Sequence, residues 1–343
     1  MKKKTSIFLK TLQRVIDSEK LIIPGDYIWI AVSGGMDSMA LLYALYAIKE
    51  AKEFNIGALH IHHGLRNASD EEWTFVKKAT EELGIPFYGK KVNVHEIREK
   101  EGVSVEEAAR IARMDVYQKA LSKTRFTKIA TAHHAQDNAE LFLLRLFRGS
   151  GSLGLSGMAY FRPDGIIRPF LNIWPDEIWD FVKENRIQYR EDESNQDLRF
   201  DRNRVRHELF PLLEEKYTSG VKDALHRLSM LTRDEETWLS ELVQEVVTQL
   251  DVKETKNTLT VSVKLLKRYP VALQRRLLRE MICKMNGNLR HISFDHIASL
   301  LELITTPLEV SSQINLPGVC VMKKGSMLLF MKKKEGQRFC EGL

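Results

Sequence analysis

Three short stretches concentrate residue types that can do chemistry. The first is Ser33-Gly34-Gly35-Met36-Asp37-Ser38, with two glycines, two hydroxyls and a carboxylate in six positions. Glycines let the backbone approach an anion closely, and the serines add hydroxyl donors, so Ser33, Gly34, Gly35, Met36, Asp37 and Ser38 are candidate phosphate ligands. A bare turn between two elements is the competing interpretation. The string lacks the lysine of a Walker A loop and the glycine spacing of a Rossmann fingerprint. The second stretch, His133-His134-Ala135-Gln136-Asp137-Asn138-Ala139-Glu140, sets Asp137 and Glu140 three apart with His133 or His134 one turn earlier. On a helix these side chains share a face. Such carboxylates can bind an ammonium or Mg2+ or accept a proton; the spacing also suits zinc, a di-metal site or a solvated face. The third is the basic run Arg199, Arg202, Asn203, Arg204 and Arg206. Guanidinium forks suit phosphates and unpaired bases, and the alternative is a salt-bridged hinge between domains.

Position along the chain turns these stretches into one expected site. The apolar run Tyr27–Val32 precedes SGGMDS, and helical spacing of Met39, Leu42, Tyr43 and Leu45 follows it, which predicts strand, loop and helix. A helix start adds unpaired amides and the positive end of its dipole. Further strands are predicted at Ile56–Ile61, Ile85–Val92 and Lys128–Ala132, with helices at Ser69–Leu83 and Ser104–Leu121. Ser104 and Glu107 form a capping-box pattern. This alternation predicts a doubly wound, mostly parallel α/β sheet with ligand at the carboxyl ends of its strands, where SGGMDS, HHGLR and HHAQDNAE all fall. Arg110 and Arg113, one turn apart, can face a single anion or solvent, and Arg148 closes the helix that begins near Ala135.

From Val221 the pattern becomes helical, with further helices predicted at Val271–Met285 and Ser293–Ile304 and short strands at Thr258–Val263, Ser311–Leu316 and Met327–Met331. The expected division is 1–215 for the nucleotide domain and 216–343 for a smaller, mainly helical domain carrying a few short strands.

Composition sets outer bounds. The 343 residues are 43% hydrophobic and 29% charged, which suits a soluble chain with sizeable cores, and the net charge of +6 favours a polyanionic partner. The basic start MKKKTSIFLKTLQRVI is interrupted by Lys10, Gln13, Arg14 and Asp17 and predicts an amphipathic helix in place of a signal peptide. No long apolar run follows, so no membrane association is expected. Cys283, Cys320 and Cys340 are scattered, without C-x-x-C, which argues against disulfides, zinc knuckles and iron-sulfur clusters and fits a cytoplasmic protein.

The string S-G-G-x-D-S resembles the pyrophosphate loop of the N-type ATP pyrophosphatases, which split ATP between its alpha and beta phosphates to adenylate an oxygen. With HIHHGLR at 60–66, TAHHAQDNAELFLLRLFRGSG at 131–151 and EDESNQDLRFDRNRVRHELFPLL at 191–213, supported by LSGM at 155–158 and RPFL at 168–171, the chain is similar to the tRNA(Ile)-lysidine synthetases. The likeness runs from Tyr27 to Leu213 and is weaker beyond Glu214, where it rests on helices and QINLPG at 313–318. The longer members carry a further C-terminal domain, for which these residues leave no room. Departures from the family pattern are His62 for asparagine, Gln136 for aspartate, Asn138 for glutamine, Leu141 for threonine and Met114 for tyrosine.

The resemblance implies that free L-lysine is joined to carbon 2 of the wobble cytidine in the CAU anticodon of isoleucine tRNA, after ATP with Mg2+ adenylates the base. It implies catalytic roles for Asp37, Arg113, His133, Asp137 and Glu140, and nucleotide binding by the loop, His60 and Arg113, with His63 to Arg66 at the nucleoside end. Asp37 and Asp137 are the implied metal ligands, and tRNA falls to Arg148, Arg199, Arg202, Asn203, Arg204 and Arg206. Another tRNA base modifier with this loop, such as a thiolase, would need cysteine pairs; a non-catalytic ATP-gated tRNA-binding protein would not need Asp37, Asp137 and Glu140. The oligomeric state is left open, a homodimer included.

Overall fold

The computed structural model describes residues 3–62, 64, 69–191, 197–306 and 312–333. They form two compact units, Met1–Asp234 and Glu235–Leu343, and the division falls inside the helix Val221–Gln249. The boundary drawn from the sequence at 215/216 precedes that helix.

The first unit is built on five parallel strands, β1 (Tyr27–Ala31), β2 (Asn55–His62), β3 (Phe87–Lys91), β4 (Lys128–Ala130) and β5 (Ile166–Ile167), in the order β3-β2-β1-β4-β5. Strand alternation sends Ile28 and Ile30 to one face of the sheet and Trp29 to the other, so each face acquires its own core. The first packs against the helices Lys3–Ser18, Met36–Ile48 and Pro175–Asn185, with Phe8 stacked on Phe181 at 4.5 Å. The second lies under Val105–Lys123, with Trp29 stacked on Phe126 at 3.8 Å. The N-terminal stretch is therefore a packed amphipathic helix. The two-residue β5 has too little pattern to be read from sequence.

Strand order reverses at β1 and β4, which are neighbours, and the crevice beyond a reversal is where open α/β sheets bind ligands. Ile30 pairs with Ala130, so three residues further on Ser33 and His133 leave the sheet at the same level.

The second unit is a five-stranded antiparallel sheet of β6 (Lys253–Glu254), β7 (Thr258–Ser262), β8 (Ser312–Leu316), β9 (Val319–Lys324) and β10 (Met327–Lys332), in the order β6-β7-β10-β9-β8. Its core draws on the helices Val271–Asn286 and Phe294–Thr305. The expected strands appear as β7, β8 and β10, while β9 was hidden by Lys323, a buried lysine whose Nζ donates to the Thr306 hydroxyl at 3.0 Å. Among the described residues no helix is long and apolar enough to cross a membrane.

Candidate active site

Gly34 has φ +100°, a conformation costly for residues with a Cβ, and its carbonyl accepts the Arg190 amide at 2.9 Å. The turn is fixed internally: Ser38 Oγ accepts the Ser33 amide at 3.1 Å and donates to the Gly35 carbonyl at 2.9 Å, and Ser33 Oγ accepts the Gly35 amide at 3.2 Å. The helix starts at Met36, earlier than its apolar spacing suggests, and no side chain caps it, which leaves first-turn amides available to an anion.

Across the crevice, His134 ends the loop after β4 and caps the helix Ala135–Phe147. Its Nδ1 accepts the Asp137 amide at 3.3 Å, so the ring proton resides on Nε2, which lies 3.8 Å from Asp37 Oδ2 and 3.5 Å from Asp137 Oδ1. The phosphate loop and the carboxylate helix meet at this imidazole. Burial raises the pKa of Asp37, helped by the nearby Asp137 charge and opposed by His134 and Arg206. Burial would also raise Asp137, but His134, Arg202, His133 and the His134 amide outweigh it and hold the carboxyl at about 2. His133 is pushed down to about 3, chiefly by desolvation and further by Arg168, Arg202 and Arg113 against the pull of Asp137. It is a neutral imidazole at pH 7, with Nδ1 3.0 Å from Thr131 Oγ1.

Glu140 has no solvent exposure and is held by two arginines. Arg206 Nε lies 2.6 Å from Oε1 and Arg202 Nε 2.7 Å from Oε2, while Arg202 Nη2 reaches Asp137 Oδ1 at 2.5 Å and Arg206 Nη2 reaches it at 3.1 Å. Gln136 Nε2 donates to Glu140 Oε1 at 3.2 Å. Asn138 is buried on the same helix, donating to Ser229 Oγ at 2.5 Å and accepting the Met158 amide at 2.8 Å.

These elements enclose a cavity of about 540 Å³ lined by Ser33, Gly35, Asp37, Ser38, His60, Arg113, His133, Asp137, Arg202, Asn203 and Arg206. Gly34, Met36 and Glu140 are not part of this lining. Arg110 is not part of it: its guanidinium pairs with Glu107 at 2.5 Å, so the expected pair facing one anion is separated and Arg113 alone faces the cavity. The basic run also divides. Arg202 and Arg206 turn inward, whereas exposed Arg199 pairs with Asp197, and Arg148 and Arg204 both pair with Asp201. His60 Nδ1 donates to the Val32 carbonyl, 2.7 Å away, and desolvation lowers its pKa despite that bond. His63, Arg66, Asp192 to Gln196 and Cys340 lie outside the described residues. Cys283 and Cys320 are free thiols of the second unit. Arg190, Glu72, Tyr117 and Thr131 join the lining without having been singled out; the hints were that Thr131 opens the 131–151 string and that Arg190 adjoins the 191–213 segment.

Asp37 Oδ1 is a buried carboxylate oxygen without a hydrogen-bond partner, which fits a hard cation completed by phosphate oxygens and water. Asp137 fits one only after its guanidinium partners move. Among the described residues no group of three or more His, Cys, Asp or Glu side chains is arranged to hold a metal, so the His-Asp-Glu spacing does not build an all-protein zinc site.

Residues 5–213 match the PP-loop domain and residues 262–325 the TilS substrate binding domain. The chain is 36% identical to the tRNA(Ile)-lysidine synthase of Geobacter sulfurreducens over 86% of this chain and 62% of that protein. It is 36% identical to that of Chlorobaculum tepidum over 67% of this chain and 68% of that protein. It is 33% identical to the bifunctional protein TilS/HprT of Listeria monocytogenes over 92% of this chain and 49% of that protein, so it spans about half to two thirds of these relatives. In fold it is similar to the U34-tRNA thiolase NcsA of Methanococcus maripaludis, with TM-score 0.54 and 17% identity over 66% of this chain and 80% of that one.

Proposed function

The chain belongs to the tRNA(Ile)-lysidine synthase family, and from that premise we propose that it ligates free L-lysine to carbon 2 of the wobble cytidine in the CAU anticodon of isoleucine tRNA, switching decoding from AUG to AUA. The observation that carries the reading is one cavity with a phosphate loop on one wall and Asp137 on the other, joined through His134, with Glu140 tied to Asp137's wall by Arg202 and Arg206.

In the first step cytidine O2 attacks the alpha phosphorus of ATP, the bond to the bridging oxygen breaks, and pyrophosphate leaves. The open first-turn amides of the helix at Met36 stabilise the charge that gathers on the departing group, and the Ser33 and Ser38 hydroxyls hold the loop in the shape that aims them. Asp37 would hold Mg2+ through its unpartnered Oδ1, and the ion would supply charge neutralisation to the phosphates. Arg113 binds nucleotide phosphate, and His60 lines the nucleoside end. In the second step the lysine ε-amine attacks carbon 2, and AMP leaves with the former O2.

Lysine arrives as an ammonium. With a pKa near 10.4, only about one in 2,500 is neutral at pH 7, so a proton must be removed. Asp137 and Glu140 bind the ammonium, and Glu140 offers the acceptor oxygens. His133, neutral with a pKa about 3, is too weak a base for that task and acts as a hydrogen-bonding wall of the nucleoside pocket. The exposed Arg148, Arg199 and Arg204 contact tRNA phosphates, while Arg202, Asn203 and Arg206 meet the anticodon nucleotides in the cavity, where the two arginines also lie within the space shared with the ATP phosphates. Residues 1–215 form the catalytic domain and 216–343 select the tRNA. The reaction runs in the cytoplasm.

The test is release of AMP and pyrophosphate from ATP. Release that needs both lysine and the CAU-anticodon isoleucine tRNA is expected; release indifferent to lysine contradicts the reading.

A further inference from the structure

The carboxylates assigned to the lysine ammonium have no free place for it. Glu140 Oε1 accepts Arg206 Nε at 2.6 Å and Gln136 Nε2 at 3.2 Å, and Oε2 accepts Arg202 Nε at 2.7 Å and Arg206 Nη2 at 3.1 Å. Asp137 Oδ2 accepts the His134 amide at 3.0 Å, and Oδ1 takes both arginines, at 2.5 and 3.1 Å. A carboxylate offers about four lone-pair sites, so Glu140 is saturated, and two guanidinium charges cancel two carboxylate charges. An arriving ammonium meets a neutralised and fully bonded pair. Glu140 cannot turn to water, having no exposure.

The arginines are less confined. The Arg202 and Arg206 side chains keep 43% and 26% of their exposure, and both face the cavity opposite the phosphate loop. Their backbone is a single turn, Asp201–Arg204, running into the π-helical turn Val205–Leu209, a geometry that recurs at functional sites. Phosphate competes well for an arginine already paired with carboxylate, since it offers the same forked geometry and more charge.

We infer that Arg202 and Arg206 set the order of substrate entry. In the free protein they hold Asp137 and Glu140. When the anionic nucleotide fills the cavity, guanidinium groups pass to its phosphates. Glu140 is then a buried anion without its cationic partners, with only the Gln136 amide left on it, a state that strongly favours capture of a cation, and the lysine ammonium fills the vacated place. Lysine is thereby excluded until the group it will displace is in position. Nucleotide and lysine must strengthen each other's binding equally, because coupling between two sites is reciprocal. The inference rests on the lysidine-forming reading.

Calorimetric titration of the full chain with L-lysine, with and without Mg2+ and α,β-methylene ATP, tests it. The wild-type chain should bind lysine at least about tenfold more tightly with the analogue present, within the usual range of such coupling. Arg206→Gln, with folding checked by circular dichroism, should bind lysine without the analogue and show coupling below about threefold. Equal wild-type affinity in both conditions overturns the inference whether or not the variant folds, and so does undiminished coupling in folded Arg206→Gln. Lysine that binds equally with and without analogue leaves the lysidine reading standing. Lysine that binds in neither condition, while the analogue binds, overturns both.

Discussion

His134 and Asp137 cap each other: the imidazole Nδ1 accepts the Asp137 amide at 3.3 Å, and Asp137 Oδ2 accepts the His134 amide at 3.0 Å. The reciprocal bond fixes the helix start and aims His134 Nε2 between Asp37 and Asp137, so one side chain serves both stability and geometry. Asparagine can replace the cap but not the Nε2 reach. His134→Asn should unfold near the wild-type denaturant midpoint, whereas His134→Ala should lose about 0.5–2 kcal/mol, the usual cost of an absent cap. Equal losses in the two variants would show that capping is not what His134 contributes to stability.

Asp37→Ala removes an anion that burial disfavours and that has an oxygen without a partner. Its thermal midpoint should be no lower than wild type, while pyrophosphate release falls to background. Turnover near the wild-type rate would remove the carboxylate from the phosphate site.

Acid should destabilise the first unit. The pKa of His226 is lowered to about 4, mainly by desolvation and further by Arg233, and that of His133 to about 3. Both bind fewer protons folded than unfolded, so their contribution is complete above the ordinary histidine value of about 6.5 and is lost as pH falls from there toward 4 and 3. Asp137, held at about 2, loses its contribution only below the ordinary aspartate value. Denaturation at a series of pH values should therefore show stability falling below about pH 6.5. His226→Gln should flatten that slope by up to about 1.4 kcal/mol per pH unit, the value of one proton. An unchanged slope would mean that His226 is not buried as a neutral ring.

Neutralising Arg148 and Arg204 together should weaken tRNA binding and leave ATP affinity unchanged. The slope of log affinity against log salt should become shallower by slightly under one unit for each tRNA phosphate that is no longer neutralised. Filter binding across a salt series measures this. A wild-type slope in the double variant would place tRNA on another surface.

Glu140→Gln exchanges a buried carboxylate for an amide and leaves Arg202 and Arg206 short of charge. Water reaches Arg202, so the loss of stability should be about 1–3 kcal/mol, below that of a fully buried pair. A neutral effect in denaturant titration would show that the guanidinium groups are as well hydrated as paired.

The phosphate loop and the carboxylate helix were legible because both depend on local spacing. Gly34 at φ +100° and the i, i+3 relation of Asp137 and Glu140 are written within a few residues. The arginine clasp was not legible, since Arg202 and Arg206 reach Glu140 from 62 and 66 positions away. Nor could spacing tell Arg110 from Arg113: the first is taken by Glu107, the second faces the cavity, and the distinction depends on which side of the helix packs against the sheet. In the second unit Lys323, buried on β9, broke the apolar alternation that marks a strand.

The most direct measurement is mass spectrometry of the anticodon loop of isoleucine tRNA after incubation with the chain, ATP, Mg2+ and isotopically labelled L-lysine. The wobble cytidine alone should gain the mass of one lysine minus water and carry the label. An unmodified cytidine with undiminished ATP and tRNA binding, or a gain of sulfur at another base, would contradict it.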